Sequence, residues 1–317
     1  MEPGEGIAAR DAADRPLLEV RGLRCEIDTT AGTAYVLRGV DLEVPHGRTL
    51  GIVGESGSGK SMLLKSVLDL VPSTAHLSGS VEFDGIDVRA MPAGQRRRML
   101  GRRVGIVFQN PMTSLNPVVS IGVQMAEASR FHLGLGRRAA RELAADLLDQ
   151  VGVPNAAKRL DDYPHQFSGG MRQRVMIAMA LTCEPDLLVA DEATTALDVT
   201  IQKQILDLLQ RLQEERRMAM IIVSHDLSIV AGRTDEVVVM YAGRIVERRP
   251  TDELFRGTPH PYVRALRAAI PSLDTPAHAR LATMRGAPPS VFDPRPDPAA
   301  AEIEDLARWC SALEESA

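Results

Sequence analysis

Eight consecutive residues, Gly54-Glu55-Ser56-Gly57-Ser58-Gly59-Lys60-Ser61, put three glycines, an ammonium and several hydroxyls into one short loop. Such a loop suits phosphate. Without Cβ atoms, backbone N–H groups can turn inward and approach anionic oxygens. Lys60 supplies a full positive charge for β- and γ-phosphates, and the Ser61 hydroxyl suits Mg²⁺. The apolar run Leu50-Gly51-Ile52-Val53 precedes the loop and a helical stretch follows it, the strand-to-helix setting of a GxxxxGKS nucleotide loop. A helix starting near Lys60 would add its positive dipole end beneath the same phosphates. A second constellation is Leu187-Leu188-Val189-Ala190-Asp191-Glu192, a buried strand delivering two carboxylates at its C-terminal end, where open α/β sheets bind ligands. Asp191 can hold Mg²⁺, and Glu192 can polarise a water that attacks the γ-phosphate. Alternatively, the pair only caps the following helix.

Apolar periodicity and turn residues place the supporting elements. Leu17-Leu18-Glu19-Val20 and residues 40–44 read as strands flanking a turn near Ala31-Gly32, and Pro45-His46-Gly47 turns the chain into the strand before the loop. Residues 60–71 form a predicted helix stopped by Pro72. Residues 79–83 are a short strand ending at Asp84-Gly85, and 103–108 another. From Asn110 to about Cys183 the period turns helical, and 139–151 sets Leu143, Leu147, Leu148 and Val151 on one face. The runs at 187–190 and 220–223 suit parallel strands buried on both sides. Residues 237–246 read as a hairpin around Ala242-Gly243. Beyond Arg256 prolines cluster, so the tail is a loop-rich extension closing with a short helix from Ala300. The layout is an α/β nucleotide core interrupted by a helical insertion, with a C-terminal appendage.

Bulk properties narrow the class. The 317 residues suffice for one large domain with an appendage, and 44% hydrophobic with 25% charged residues fits a soluble globular chain. A formal net charge of −5 offers no global attraction to nucleic acid, and no nucleic-acid partner is expected. Three distant cysteines, Cys25, Cys183 and Cys310, are poor material for a disulfide framework and fit a reducing compartment. The start, 1–15, is acidic and Gly/Ala-rich, unlike a secretory signal. No run approaches the ~18–20 apolar residues of a membrane-spanning helix, so membrane attachment is expected through a partner.

Phe167-Ser168-Gly169-Gly170-Met171-Arg172-Gln173-Arg174-Val175 resembles the signature segment of ATP-binding-cassette (ABC) ATPases. Read from the residues alone, Ser168 and two glycines expose donors before a helix at 171–181, either a second anion site or an ordinary serine N-cap. The resemblance implies that Ser168, Gly169 and Gly170 contact the γ-phosphate held by an opposing cassette, so that two cassettes sandwich two ATPs. Further segments match in order. Gln109 resembles the glutamine that reaches metal and water and senses the membrane partner. Ala196-Leu197-Asp198 resembles the loop that crosses the dimer interface. His225, in Ser224-His225-Asp226, resembles the switch histidine that contacts the γ-phosphate. The implied fold is a P-loop NTPase ABC nucleotide-binding domain with a RecA-like core, an antiparallel β-subdomain, a helical insertion and a C-terminal extension. The implied division is a disordered leader (1–16), an ATPase domain (17–256, helical subdomain about 110–183) and an extension (257–317).

A narrower resemblance, to the oligopeptide/dipeptide/nickel importer branch, rests on Phe108-Gln109-Asn110-Pro111-Met112-Thr113-Ser114-Leu115-Asn116-Pro117 and on Pro259-His260-Pro261-Tyr262-Val263-Arg264-Ala265-Leu266. It implies ATP and Mg²⁺ as ligands, two transmembrane permeases, a second and non-identical cassette rather than an identical copy, and indirect service to an extracellular solute-binding protein. The expected place is the cytoplasmic face of the membrane, as a peripheral subunit. The competing reading is a soluble ABC ATPase of translation or DNA repair, which usually carries two cassettes or a long coiled-coil insertion. Two departures stand out. The aromatic that stacks on adenine aligns with Ile27, leaving Tyr35 either to substitute from the nearby turn or to pack an edge strand. The tail lacks the spaced cysteines of the branch; Cys310 alone cannot hold an iron–sulfur cluster, and none is expected. The arginines at 96–98, 102 and 103 read as a solvated helix face or a contact for anionic lipid or permease. Met171, Met176 and Met179 read as core packing.

Overall fold

The computed structural model describes residues 15–194, 197–269, 289–295, 297, 303–304 and 307. In chain order the strands and helices are β1 (Leu18–Thr29), β2 (Gly32–Val44), β3 (Thr49–Val53), α1 (Lys60–Val67), β4 (Ala75–Phe83), β5 (Ile86–Asp87), α2 (Ala93–Arg103) and β6 (Val104–Val107). There follow α3 (Pro111–Ser114), α4 (Ile121–His132), α5 (Arg137–Gln150), α6 (Ala156–Arg159), a 3₁₀ turn (Pro164–Gln166) and α7 (Gly169–Ala180). The remainder is β7 (Leu187–Asp191), α8 (Val199–Arg216), β8 (Ala219–Ser224), α9 (Leu227–Val230), β9 (Glu236–Tyr241), β10 (Arg244–Pro250), α10 (Thr251–Arg256) and α11 (Pro261–Ala268). Ala196, the leader up to residue 14, residues 270–288, most of the closing helix expected from Ala300, and Cys310 lie outside the described residues. No helix among the described residues is long and apolar enough to cross a membrane.

The chain divides into two compact units. One comprises Met1–Leu17, Val44–Arg48 and Val88–Val223. Within it β6, β7 and β8 are parallel, with Val104 opposite Leu187 and Leu187 opposite Ala219. Every residue of β8 and the first four of β7 are buried, which is why these strands read as unbroken apolar runs. In α5 the buried face is Ala140, Ala144, Leu147 and Leu148, followed by Val151, while Leu143 is only part-buried. The expected face was shifted because the two alanines, which carry little apolar weight, take the inward positions. Met176 is buried and Met171 and Met179 are half-buried, and α2 exposes Arg97 and Arg98 to solvent.

The other unit comprises Leu18–Glu43, Thr49–Asp87 and Ser224–Ala317. One sheet runs in the order β2-β1-β4-β5, with β4 antiparallel to both β1 and β5. Its strands are longer than the apolar clusters at 17–20, 40–44 and 79–83, because alternating polar residues face outward inside the ladder. β4 continues through Gly79, opposite a register shift of β1 between Arg21 and Arg24. β3 is parallel to β9, and β9 turns back into β10 through Ala242 and Gly243 at φ 48° and 79°, a type I′ hairpin.

Helix α1 ends four residues before the predicted stop. Asp69 adopts φ 57° and the Leu70 N–H donates to the Lys65 carbonyl at 2.8 Å, a Schellman closure that finishes the helix before Pro72 can.

Candidate functional site

In the second unit, the buried strand β3 delivers the chain to Gly54, and α1 begins at Lys60 with Gly59 as N-cap. Lys60 is 4% exposed, and its ammonium donates to the carbonyls of Gly54 at 2.7 Å and Glu55 at 2.9 Å. The loop closes on itself through Ser58 N–H to Glu55 O at 3.1 Å, and is tied to the β9–β10 hairpin by Gly243 N–H to Ser58 O at 3.0 Å. Gly54 has no room for a side chain: a Cβ would lie 2.2 Å from the Met240 carbonyl oxygen. Burial lifts the Glu55 carboxyl above the usual range, and nearby Lys60 opposes the shift. Ser58 Oγ is buried and has no hydrogen-bond partner among the described residues. A buried hydroxyl without a partner is costly.

Beside the loop lies a cleft of about 160 Å³, bounded by Tyr35, Val36 and Arg38 of β2, by residues 55–58, by the Tyr241-Ala242-Gly243 turn, and by Pro289 and Val291. Tyr35 is thus at the cleft, with the Arg38 guanidinium 5.5 Å from its ring centroid, whereas Ile27 on β1 does not line it. From below, the fully buried Tyr262 of α11 accepts from the Glu55 N–H at 3.4 Å and packs its ring 4.4 Å from that of Tyr241. Burial pushes the Tyr262 phenol up. Ser61 is exposed in the first turn of α1, and His225 is exposed at the end of β8. Asp226 caps α9 by accepting from the Ser228 N–H at 2.8 Å.

The first unit carries the carboxylates. β7 ends at Asp191, and Glu192 follows in the left-handed region at φ 47°, its N–H donating to the Val223 carbonyl at 3.1 Å. Gln109 Nε2 donates to Glu192 Oε2 at 2.8 Å. The capping alternative for this pair does not hold. The next helix, α8, begins at Val199 and is capped by Asp198, which accepts from the Ile201 N–H at 3.0 Å. Ser168 caps α7, accepting from the Met171 N–H at 3.3 Å. That cap does not preclude a ligand on the other donors of the turn. Gly170 faces α8, where its Cβ would sit 2.8 Å from Ile201 Cγ2, and a Cβ on Gly169 would lie 3.7 Å from Leu197 Cδ2. Cys25 and Cys183 are thiols pushed up by burial, and Cys310 lies outside the described residues.

Three features escaped sequence reasoning: the Gln109–Glu192 bond, the tyrosine beneath the loop, and the Pro289 and Val291 wall. Only Tyr262 had a signal, the tail motif from Pro259.

The fold and these loops define an ABC ATPase cassette. Residues 37–195 match the ABC transporter family model, and the chain belongs to that family. Residues 246–296 match the oligopeptide/dipeptide transporter C-terminal region, which places it in that branch. BMEII0863 of Brucella melitensis is 49% identical over 266 residues, 82% of this chain and 79% of that protein. The oligopeptide transport ATP-binding protein OppD of Bacillus subtilis is 44% identical over 280 residues, 88% of this chain and 78% of that one. The ATP-binding cassette MJ0796, solved as a dimer in a post-hydrolysis state with ADP and Pi, superposes with a TM-score of 0.66 at 25% identity, covering 74% of this chain and 98% of that one.

Proposed function

We propose that this chain binds and hydrolyses ATP as the energy-converting subunit of an importer for di- and oligopeptides or a related small solute such as nickel. What carries the reading is a phosphate loop set between a buried strand and a helix that opens at Lys60, in a chain that also matches the peptide-transporter C-terminal region. That second match favours transport over a soluble role in translation or DNA repair. In this reading 17–256 is the ATPase domain and 257–317 the importer-type extension.

The loop N–H groups and Lys60 neutralise the triphosphate, and the base lies against Tyr35. Ser61, Asp191 and Gln109 offer a hydroxyl, a carboxylate and an amide oxygen, hard donors that fit Mg²⁺ and would hold it. When bound, Mg²⁺ neutralises charge on the β- and γ-oxygens. Glu192, held by Gln109, accepts a proton from the attacking water, and His225 orients the γ-phosphate. Ser168, Gly169, Gly170 and Asp198 serve the ATP of an opposing cassette, in line with the dimeric, ADP- and Pi-bound state of MJ0796. Loss of the γ-phosphate then opens the pair, because ATP favours the closed form only through contacts the open form lacks. The partners are two permeases and a second, non-identical cassette, at the cytoplasmic face of the membrane. The test compares ATP titration with phosphate release. Lys60→Ala is expected to lose tight ATP binding, and His225→Ala to lose more hydrolysis than binding. Equal ATP affinity in Lys60→Ala would contradict the reading.

A further inference from the structure

The cleft beside the phosphate loop has a wall that comes from far down the chain. Tyr35 N–H donates to the Val291 carbonyl at 2.7 Å, and Arg38 Nη1 donates to the Arg295 carbonyl at 2.7 Å. Arg38 is 5% exposed and also lies over the Tyr35 ring, so one β2 guanidinium fixes both the aromatic and the tail segment. The segment has its own closure. Asp293 N–H donates to the Ser290 carbonyl at 3.1 Å, and Asp293 takes the Arg295 guanidinium in a two-pronged pair at 2.6 and 2.9 Å. Arg295 holds the Asp293 carboxyl down at about 2, so this turn keeps its charge at every working pH.

The walls are aromatic at Tyr35 and aliphatic at Pro289 and Val291. A volume of about 160 Å³ is below the roughly 300 Å³ of a drug-sized pocket, which suits a planar ring better than a whole nucleotide. The cleft opens beside Ser58, where the ligand's phosphates are expected. Tyr35 and Val291 are neighbours through their backbone bond, so their side chains join in one aromatic and aliphatic surface, on which a nucleobase π-face stacks readily.

We infer that residues 289–295 form the second wall of the base site, so that the purine of ATP lies against Tyr35 and the Pro289–Val291 pair together, with Arg38 as the positioning residue that latches the wall. The inference rests on the ATP reading above and makes ATP affinity depend on the C-terminal extension.

The test uses the full chain and two probes, Mg-ATP and Mg-tripolyphosphate, the second of which has no base. Val291 is 43% exposed, so Val291→Trp fills the cleft with little burden on the core. It is expected to weaken ATP about tenfold by occupying the space of the base, and to leave tripolyphosphate unchanged. Arg38→Met is expected to act in the same direction, and Arg38→Lys to recover most of the loss. Unaltered ATP affinity in Val291→Trp, or an equal loss of both probes, would overturn the wall. Failure of the native chain to bind either probe would instead sink the ATP reading beneath it. An independent check needs no variant: photolabelling by azido-ATP should mark the peptide containing 289–295 as well as Tyr35, and label on Tyr35 alone would refute the second wall.

Discussion

Glu192 combines a chemical role with a strained backbone. At φ 47° it occupies a conformation that costs a non-glycine residue on the order of 1–3 kcal/mol. Its N–H to Val223 and its carboxylate bond to Gln109 hold it there. Removing the carboxylate charge in Glu192→Gln is expected to lower turnover by roughly 10²–10⁴ while ATP still binds, as single-turnover assays beside equilibrium titration can show. Gln109→Ala, which removes this bond to Glu192, is expected to lower turnover more than ATP affinity. The residues of both loops were legible because their types and spacing leave few other uses. The Gln109–Glu192 bond was not, since the partners are 83 positions apart and only the pairing of β6 with β7 brings them together. Val291 was illegible for a plainer reason, being a lone valine in a proline-rich tail.

Elements were legible where apolar runs were long and unbroken, as at β7 and β8, and less so where polar residues alternate or a cap intervenes. Helix α1 shows the second case: the stop is set by Asp69 in a left-handed turn, and proline was the more conspicuous but idle signal. The approach of α7 to α8 is similarly unforgiving. Gly170→Ala would press a methyl to 2.8 Å from Ile201 Cγ2, and overpacking of this kind costs about 1–3 kcal/mol. Urea melts should show that loss, and Ile201→Ala in the same chain should recover part of it. At the start of α11, burial lowers His260 below its usual 6.5, and nearby Glu247 partly opposes this. The folded state therefore prefers the neutral ring, so this contribution is complete above about pH 6.5 and is lost as pH falls below that value. Thermal melts between about pH 7.5 and pH 5.5 should fall less for His260→Gln than for the native chain.

At the scale of the molecule, the α/β class, the helical insertion and the appended tail were all written in periodicity and motif order. Two compact units interleaved along the chain were not, because non-local strand pairing leaves no mark in local composition. Nor was the tail's engagement with the phosphate loop. Tyr262 is fully buried against Tyr241, and its truncation in Tyr262→Ala is expected to cost about 3–5 kcal/mol, as for other large buried aromatics. Tyr262→Phe, which loses only the weak bond from the Glu55 N–H, should cost no more than about 1 kcal/mol. The proposed role of the whole chain is to turn ATP cleavage into peptide movement, and transport itself measures that most directly. With the cassettes and permeases reconstituted in vesicles, labelled peptide should accumulate only with ATP on the cassette side, and Glu192→Gln in both cassettes should abolish accumulation. Peptide uptake that proceeds equally without ATP, or steady ATP turnover with no permease bound and no peptide moved, would contradict it.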